Sequence, residues 1–193
     1  SMFHSVASFN NAGFDIFGGG QSMVPYADNI FLNIITCVLI FFGGIGFLVI
    51  QELWQKKCQW KKLSMHTKVV LSVSLALIII GTLLIKLTEP VSWLCALFHS
   101  VSTRTAGFAS RPIGDFGAPA LLVMIVLMFI GASSGSTGGG IKTSTFFVLI
   151  RGIFSAATNQ SEKAFHYSIP KDAFKKAAVI SILAAGVVIT STY

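Results

Sequence analysis

The chain has 193 residues, of which 53% are hydrophobic and 11% charged, and its formal net charge is +7. Charged residues make up roughly a quarter of an ordinary soluble domain, so this composition excludes a soluble globular protein and predicts a chain that faces lipid. In a soluble protein the positive charge would suggest a nucleic acid partner. In a membrane protein lysines set the topology instead, and we expect no nucleic acid partner. Cys37, Cys58 and Cys95 have no metal-type spacing and predict no disulfide framework.

The first element is a short apolar segment, residues 2–9, followed by the turn Asn10-Asn11-Ala12-Gly13. A segment of this length is too short to cross a bilayer, which takes ~20 residues, but it suits a re-entrant pore helix. The sequence from Phe3 to Phe14 returns almost residue for residue about 95 positions later. An internal repeat of this kind indicates an architecture built from equivalent units.

Residues 30–50 form the first apolar run long enough to cross a bilayer, and residues 69–87 form the second. The Gly43-Gly44-Ile45-Gly46 stretch in the first run allows close helix packing or a bend, and we expect packing. Five lysines stand between the two runs, at positions 56, 57, 61, 62 and 68. The positive-inside rule therefore places this link in the cytoplasm.

A second short apolar segment, residues 91–102, carries the other copy of the repeat and leads into a second glycine-containing turn. The C-terminal end of a pore helix has unpaired carbonyls and a partial negative charge, which favours a cation. Glycine then lets the chain turn with its carbonyls facing the pore axis. We predict that both turns form a selectivity filter that binds a dehydrated cation through backbone carbonyls only. The candidate filter residues are Asn10, Asn11, Ala12, Gly13, Thr103, Arg104, Thr105, Ala106 and Gly107.

Three side chains near these turns need partners. His4 and His99 recur at matched positions without neighbours at metal-ligand spacing, so we expect them to hydrogen-bond within their pore helices or to a neighbouring span. A guanidinium on the pore axis would repel cations. Arg104 should therefore point away from the axis and pair with a carboxylate, for which Asp115 is the candidate, or be an exposed arginine.

The third apolar run is interrupted, because a stretch rich in glycine, serine and threonine separates residues 116–131 from residues 145–154. Polar backbone at membrane depth is tolerated where protein buries it or where it lines water. We therefore predict a mobile, non-helical loop, buried below the filter, that gates conduction. Lys142 in this loop would repel a passing cation. The nucleotide-binding pattern Gly-x4-Gly-Lys-[Ser/Thr] fails because Ile141 intervenes before Lys142. The candidate gating residues are Gly135, Ser136, Thr137, Gly138, Gly139, Gly140 and Lys142.

A second basic link leads to a last apolar run, residues 177–193, and it should also be cytoplasmic. Its basic residues are Arg151, Lys163, Lys171, Lys175 and Lys176. The order of elements predicts an all-α polytopic membrane protein. We expect helix–pore loop–helix repeats like those of K⁺ channels, with a broken helix in the later repeat.

Segments 8–14, 103–108 and 135–143 resemble the motifs of the Trk/Ktr/HKT superfamily of potassium transporters, and most closely the bacterial membrane subunits of the TrkH/KtrB type. The resemblance implies four repeats in one polypeptide, with Gly13 as the filter glycine of the second repeat and Gly107 as that of the third. It divides the chain into five parts. These are the pore loop and second helix of the second repeat (1–55), a cytoplasmic link (56–68), the complete third repeat (69–157), a cytoplasmic link (158–176) and the first helix of a truncated fourth repeat (177–193).

The resemblance also implies K⁺ as the transported ion, no cofactor in this chain, and a multi-pass location in a bacterial plasma membrane. The implied partners are membrane lipid, a second copy in a homodimer, and a cytoplasmic ring of nucleotide-binding regulatory subunits. The function predicted for the parent protein is potassium uptake. The alternatives are a truncated membrane fragment that conducts nothing, or a Na⁺-permeable relative. The sequence presents no acid–base pair, catalytic nucleophile or metal cluster, so we expect no enzymatic activity.

Overall fold

The computed structural model describes residues 2–14, 20–158, 163–164, 167–168 and 171–192. The regular secondary structure of the described chain is helical except for two antiparallel strands of two residues each, Lys163–Ala164 and Tyr167–Ser168, and the predicted all-α class is confirmed. Its α-helices are α1 (Met2–Phe9), α2 (Ile30–Ile45), α3 (Phe47–Gln55), α4 (Met65–Thr88), α5 (Trp93–Ser102), α6 (Ala118–Phe129), α7 (Thr143–Thr158) and α8 (Lys171–Thr192). Short 3₁₀ turns lie at Val24–Tyr26, Trp60–Lys62 and Ile113–Asp115.

Short polar residues begin three of these helices, because a side-chain oxygen can accept a hydrogen bond from an amide of the first turn. The caps are Asn29 for α2, Ser64 for α4 and Ser92 for α5, which accept from the amides of Leu32, Thr67 and Cys95 at 3.1, 3.3 and 3.2 Å.

Among the described residues, α4 and the Ala173–Ser191 part of α8 are single helices long and apolar enough to cross a membrane. Both were predicted as crossings. The pore helices α1 and α5, with 8 and 10 residues, are too short to span. This pattern of long spans and short intervening helices is the one predicted for helix–pore loop–helix repeats.

The crossing predicted for residues 30–50 is not one straight helix. The first part, α2, ends at Ile45, and α3 leaves it at an angle of 95°. Gly46 lies between them with φ 88° and ψ 149°, a region of backbone space essentially reserved for glycine. The chain therefore bends at this glycine stretch, and it also packs closely there as expected, since a Cβ at Gly43 would lie 1.8 Å from the Phe9 carbonyl oxygen.

The interruption predicted in the third apolar run is present. The first half of the run folds as α6 and the second as α7, and residues 130–142 between them are not helical. We call residues 130–142 the glycine loop.

The helix α4 is the centre of the packing, with α5, α6 and α7 against it. One apolar cluster joins α4 to α5 and α6 and includes Leu77, Ile85, Ala96, Ala120 and Leu127. A second cluster joins α1, α2 and α5 and brings the regions of the two predicted pore turns together through Ala7, Ile40, Phe98, Val101 and Phe108. The last helix, α8, packs against α7 and exposes many of its apolar side chains.

Candidate ion pathway

The two pore helices end in turns with the same backbone shape. In the first turn, Asn11 and Gly13 have φ values of 51° and 69°. In the second turn, Thr105 and Gly107 occupy the equivalent positions with φ values of 71° and 82°. In each case an alanine of negative φ lies between the two left-handed residues. In both turns the last residue has a positive φ that glycine adopts without strain.

The two turns lie against each other at their glycines. A Cβ atom built on Gly13 would lie 2.8 Å from the Ala106 carbonyl oxygen, and one on Gly107 would lie 3.3 Å from the Cα of Gly13. Any side chain at Gly13 would therefore push the two turns apart. The fold thus brings Asn11, Gly13, Ala106 and Gly107 to one place from segments more than 90 residues apart.

The flanking candidates Asn10 and Thr103 hydrogen-bond back onto their own helices. The Asn10 amide donates to the Val6 carbonyl at 2.9 Å, and the Thr103 hydroxyl donates to the His99 carbonyl at 2.7 Å. These two side chains stabilise the ends of the pore helices. Asn10 and Thr103 therefore differ from Asn11 and Thr105, whose side chains lie toward the glycine loop.

The two histidines form hydrogen bonds with the kinds of partner that the sequence predicts, a neighbouring span and their own pore helix. His4 Nε2 lies 2.9 Å from the Thr36 hydroxyl of the neighbouring helix α2, and His99 Nδ1 lies 3.0 Å from the Cys95 carbonyl of its own helix. The His4 ring also meets Phe108 edge to face, with centroids 5.2 Å apart. The first pore helix is thereby in contact with Phe108, the residue that follows Gly107.

Arg104 is neither exposed nor paired with Asp115, so both expectations for it were wrong. Its side chain is 8% exposed and donates to the Ser74 carbonyl, the Ser74 hydroxyl and the Gly131 carbonyl at 3.4, 3.3 and 3.4 Å. Within the described residues Arg104 forms no ion pair, and the Asp115 carbonyl accepts from Arg111 instead. Helix α4 presents Ser74 to the turn, so Arg104 links the second turn to α4 and to the start of the glycine loop.

The glycine loop is a compact structure held by its own backbone. Its two ends are joined by hydrogen bonds from Ala132 N to the Gly139 carbonyl at 3.1 Å and from Ile141 N to the Phe129 carbonyl at 3.0 Å. A Cβ atom on Gly131 would overlap the Gly139 carbonyl oxygen, and one on Gly140 would lie 2.7 Å from the Cα of Gly131. The loop can close this tightly because glycine stands at both contacts.

The glycine loop contacts both predicted filter turns. Gly139 N donates to the Thr105 hydroxyl at 3.1 Å, and the Thr137 hydroxyl lies 3.2 Å from the Phe9 carbonyl at the end of α1. Gly138 is buried between the turns and the rest of the loop, whereas Gly135, Thr137, Gly139 and Gly140 are exposed in the described chain. Within the predicted gating segment, residues 135–143, Gly138, Ile141 and Thr143 are buried, so the predicted burial holds for part of the segment and not for all of it.

Lys142 is half-buried and its charge lies against the loop itself. The ammonium group donates to the Gly138 carbonyl at 2.9 Å. The loop thereby holds this ammonium group at Gly138, the residue that lies beside Thr105.

The loop also contacts helix α2, in a way that sequence analysis missed. Ser133 donates from both its amide and its hydroxyl to the Gly44 carbonyl, at 3.0 and 2.9 Å. The glycine stretch in α2 was the available signal, but a single sequence does not say what approaches it. Nothing in the sequence indicated that Ser74 would be the partner of Arg104.

The described residues contain no cluster of three or more His, Cys, Asp or Glu that could hold a metal ion.

Comparison with known proteins decides the family. The model of the TrkH family, described as cation transport protein, matches residues 1–191. The chain belongs to this family. As a member of the TrkH family it is similar to Ktr system potassium uptake protein B of Vibrio alginolyticus, with 43% identity over 77% of the chain and 35% of that protein. It is also similar to the protein of the same name from Bacillus subtilis, with 31% identity over 94% of the chain and 43% of that protein.

A solved structure shares the fold. The crystal structure of the potassium transporter TrkH from Vibrio parahaemolyticus matches with a TM-score of 0.69 and 23% identity, over 90% of this chain and 40% of that one. The arrangement of membrane helices and pore loops is therefore that of the TrkH fold. The chain spans less than half the length of these relatives.

Proposed function

We propose that this chain forms part of the ion pathway of a potassium uptake system. The observation that carries the proposal is the contact between two pore turns of the same shape, Asn11–Gly13 and Thr105–Gly107, each at the C-terminal end of a short pore helix. Pore-helix C-termini favour a cation, and carbonyls held in a ring can replace its hydration shell. The potassium uptake named for the relatives supports K⁺ as the cation.

The proposed pathway runs past both filter turns, which supply backbone carbonyls as the ligands of K⁺. In this proposal Gly13 and Gly107 are the filter glycines of the second and third repeats, and the chain is divided as the sequence analysis predicts. Arg104 is a structural residue beside the filter. Its burial against Ser74 and Gly131 supports a position away from the ion, since a guanidinium on the pore axis would repel cations.

The glycine loop is the proposed gate. Its contacts with Thr105 and with the Phe9 carbonyl support a position against the filter turns, and the Lys142 charge adds repulsion toward a cation. Opening would require the loop to leave the turns, which breaks its hydrogen bonds with Thr105 and with the Phe9 carbonyl. Loops with few buried contacts open at low free energy.

Membership of the family supports a proposal for the surroundings of the pathway. We propose a multi-pass protein of the bacterial plasma membrane, surrounded by lipid, that acts as a homodimer above a cytoplasmic ring of nucleotide-binding regulatory subunits. It needs no cofactor and catalyses no reaction. An alternative is permeation by Na⁺, which one relative supports: the potassium/sodium uptake protein NtpJ of Enterococcus hirae shares 37% identity over 78% of the chain.

Substitution of the second filter glycine tests the proposed function. Gly107→Ser should be made with the chain in a polypeptide of the length of its relatives, which we call the full transporter. At φ 82° a side chain is strained by about 1–2 kcal/mol and would crowd Gly13, so we expect K⁺ uptake to fall at least tenfold or to lose its preference over Na⁺.

The measurement is Rb⁺ and Na⁺ uptake by cells that lack their own K⁺ transporters. Gly114→Ser is the matched control, because a Cβ at Gly114 meets nothing within 4 Å. Normal uptake and K⁺ preference in a well-expressed Gly107→Ser protein would contradict the filter assignment. Uptake of Na⁺ equal to that of K⁺ by the unmodified full transporter would favour the alternative.

A further inference from the structure

We propose that the break between α2 and α3 is the docking site of the glycine loop, and that release of the loop is coupled to straightening of this bend. The proposal rests on the proposed gate and adds the element against which the gate closes. It assigns a positioning role to residues 43–46 and to Ser133 and Thr137 of the loop.

The bend at Gly46 leaves helix carbonyls without their helical partners. In a continuous α-helix the carbonyl of residue i accepts from the amide of residue i+4, so the Gly43 carbonyl would accept from Phe47. Because the helix ends at Ile45 and Gly46 turns the chain by 95°, this bond is absent and Phe47 N donates elsewhere. A carbonyl at membrane depth needs another donor.

The glycine loop supplies the missing donors. Thr137 N donates to the Gly43 carbonyl at 3.4 Å, and the amide and hydroxyl of Ser133 donate to the Gly44 carbonyl at 3.0 and 2.9 Å. The Thr137 hydroxyl lies 3.3 Å from the Gly43 carbonyl as well. The loop therefore satisfies the carbonyls at which the helix stops.

The glycine loop also accepts a hydrogen bond from the bend. The freed amide of Phe47 donates to the Gly135 carbonyl of the loop at 3.2 Å. Space for this approach exists because residue 46 is glycine, since a Cβ there would lie 2.9 Å from the Ser134 carbonyl oxygen. Straightening α2 into α3 would restore the helical bonds and remove the loop's partners at once. Loop docking and the bend therefore depend on the same backbone groups, so that a change in one changes the other.

The other end of α3 connects this bend to the cytoplasmic side. Glu52 accepts from the ammonium of Lys56 at 2.6 Å and from the amide and hydroxyl of Ser64 at 2.8 and 2.6 Å, and it also accepts from the Thr67 hydroxyl. Ser64 is the residue that begins α4. A force on the lysine-rich link, residues 56–68, would therefore reach the glycine loop through α3.

The test uses two substitutions in the full transporter. Thr137→Val keeps the shape of the side chain and removes its hydroxyl from the Gly43 and Phe9 carbonyls. Gly46→Ala places a side chain where φ is 88° and against the Ser134 carbonyl, which disfavours the bend. Their controls are Thr137→Ser, which retains the hydroxyl, and Gly186→Ala in α8, where a Cβ meets nothing within 4 Å.

Three quantities are measured: K⁺ flux in proteoliposomes, hydrogen exchange of the loop amides, and the distance between spin labels on cysteines placed at the exposed residues Trp54 and Leu75, with the exposed Cys58 replaced by serine. We expect Thr137→Val and Gly46→Ala to raise flux and to speed exchange of the loop amides. For Thr137→Val the increase in exchange should be about fivefold or more, as loss of one hydrogen bond predicts. The label distance should lengthen in both. Thr137→Ser and Gly186→Ala should retain the original values.

The outcomes separate this proposal from the proposed gate. If both variants behave like their controls in exchange and label distance, the docking site is wrong. If flux rises and loop exchange quickens while the label distance stays fixed, the coupling to the bend is wrong and the gate stands. If exchange and label distance change while flux does not, the docking site stands and the loop is not the gate.

Discussion

An alanine at position 138 tests whether the glycine loop closes the pathway. Gly138 is buried, and a Cβ there would lie 2.5 Å from both the Ala132 Cβ and the Thr105 hydroxyl oxygen, and 3.3 Å from the Asn11 side-chain nitrogen. Overpacking of a close-packed site costs about 1–3 kcal/mol, which changes an equilibrium about 5- to 150-fold. The cost falls on the docked loop, so Gly138→Ala should raise K⁺ flux by a factor in this range, up to the rate of the open pathway.

The neighbouring glycine provides the control. A Cβ at Gly139 meets nothing within 4 Å, so Gly139→Ala makes the same chemical change in the same loop without the clash. The assay is Rb⁺ flux into proteoliposomes that contain the purified full transporter, with the Rb⁺/Na⁺ ratio measured alongside. Equal flux in the two variants would refute the reasoning. A lower flux with an altered Rb⁺/Na⁺ ratio in Gly138→Ala would mean that the clash displaces Thr105 and the filter instead of the loop.

The buried guanidinium and the topology give the remaining predictions. Because the hydrogen bonds of Arg104 are long, at 3.3–3.4 Å, and involve no carboxylate in the described chain, Arg104→Met should change the unfolding temperature in detergent less than Arg104→Lys does. The lysine would leave a more strongly hydrated ammonium buried at the same site, and a larger loss in Arg104→Met would contradict this account. A cysteine at Gln59, with the exposed Cys58 replaced by serine, should react with an impermeant thiol reagent only after permeabilisation, while one at the exposed Ile113 should react from outside. The reverse result would overturn the placement of the pore loops.

The elements that the sequence predicted well depend on local patterns. Apolar runs of sufficient length became α4 and α8, and the interruption after Phe129 became a loop, because no helix tolerates that density of glycine at membrane depth. The repeated Ala-Gly-Phe turns took the same backbone shape because the same residue types impose the same local preferences. The roles given to these turns and to the glycine loop stay predictions until flux is measured.

The errors have a different origin, because they concern contacts between distant segments. Arg104 was expected beside Asp115, which is 11 positions away in sequence, but its partners Ser74 and Gly131 lie about 30 positions away on either side. A charged residue in a single sequence suggests an opposite charge as its partner. In a membrane protein the carbonyl at the end of a broken helix offers a second kind of partner, because its helical donor is missing. Any break in a span therefore has to be considered before a buried cation is given a carboxylate.

The bend in α2 and the break after α6 illustrate the same physical rule. Each break alone would leave polar backbone groups unpaired at membrane depth, at a cost of several kcal/mol for each group. Together they pair with one another, through Gly43 and Gly44 on one side and Ser133, Gly135 and Thr137 on the other. Both glycine-rich stretches are visible in the sequence, about 90 residues apart, but the sequence analysis interpreted each one by itself. Since one break supplies the partners that the other needs, two interruptions in neighbouring spans are better read as a pair, and a substitution that abolishes one of them should alter the conformation of the other.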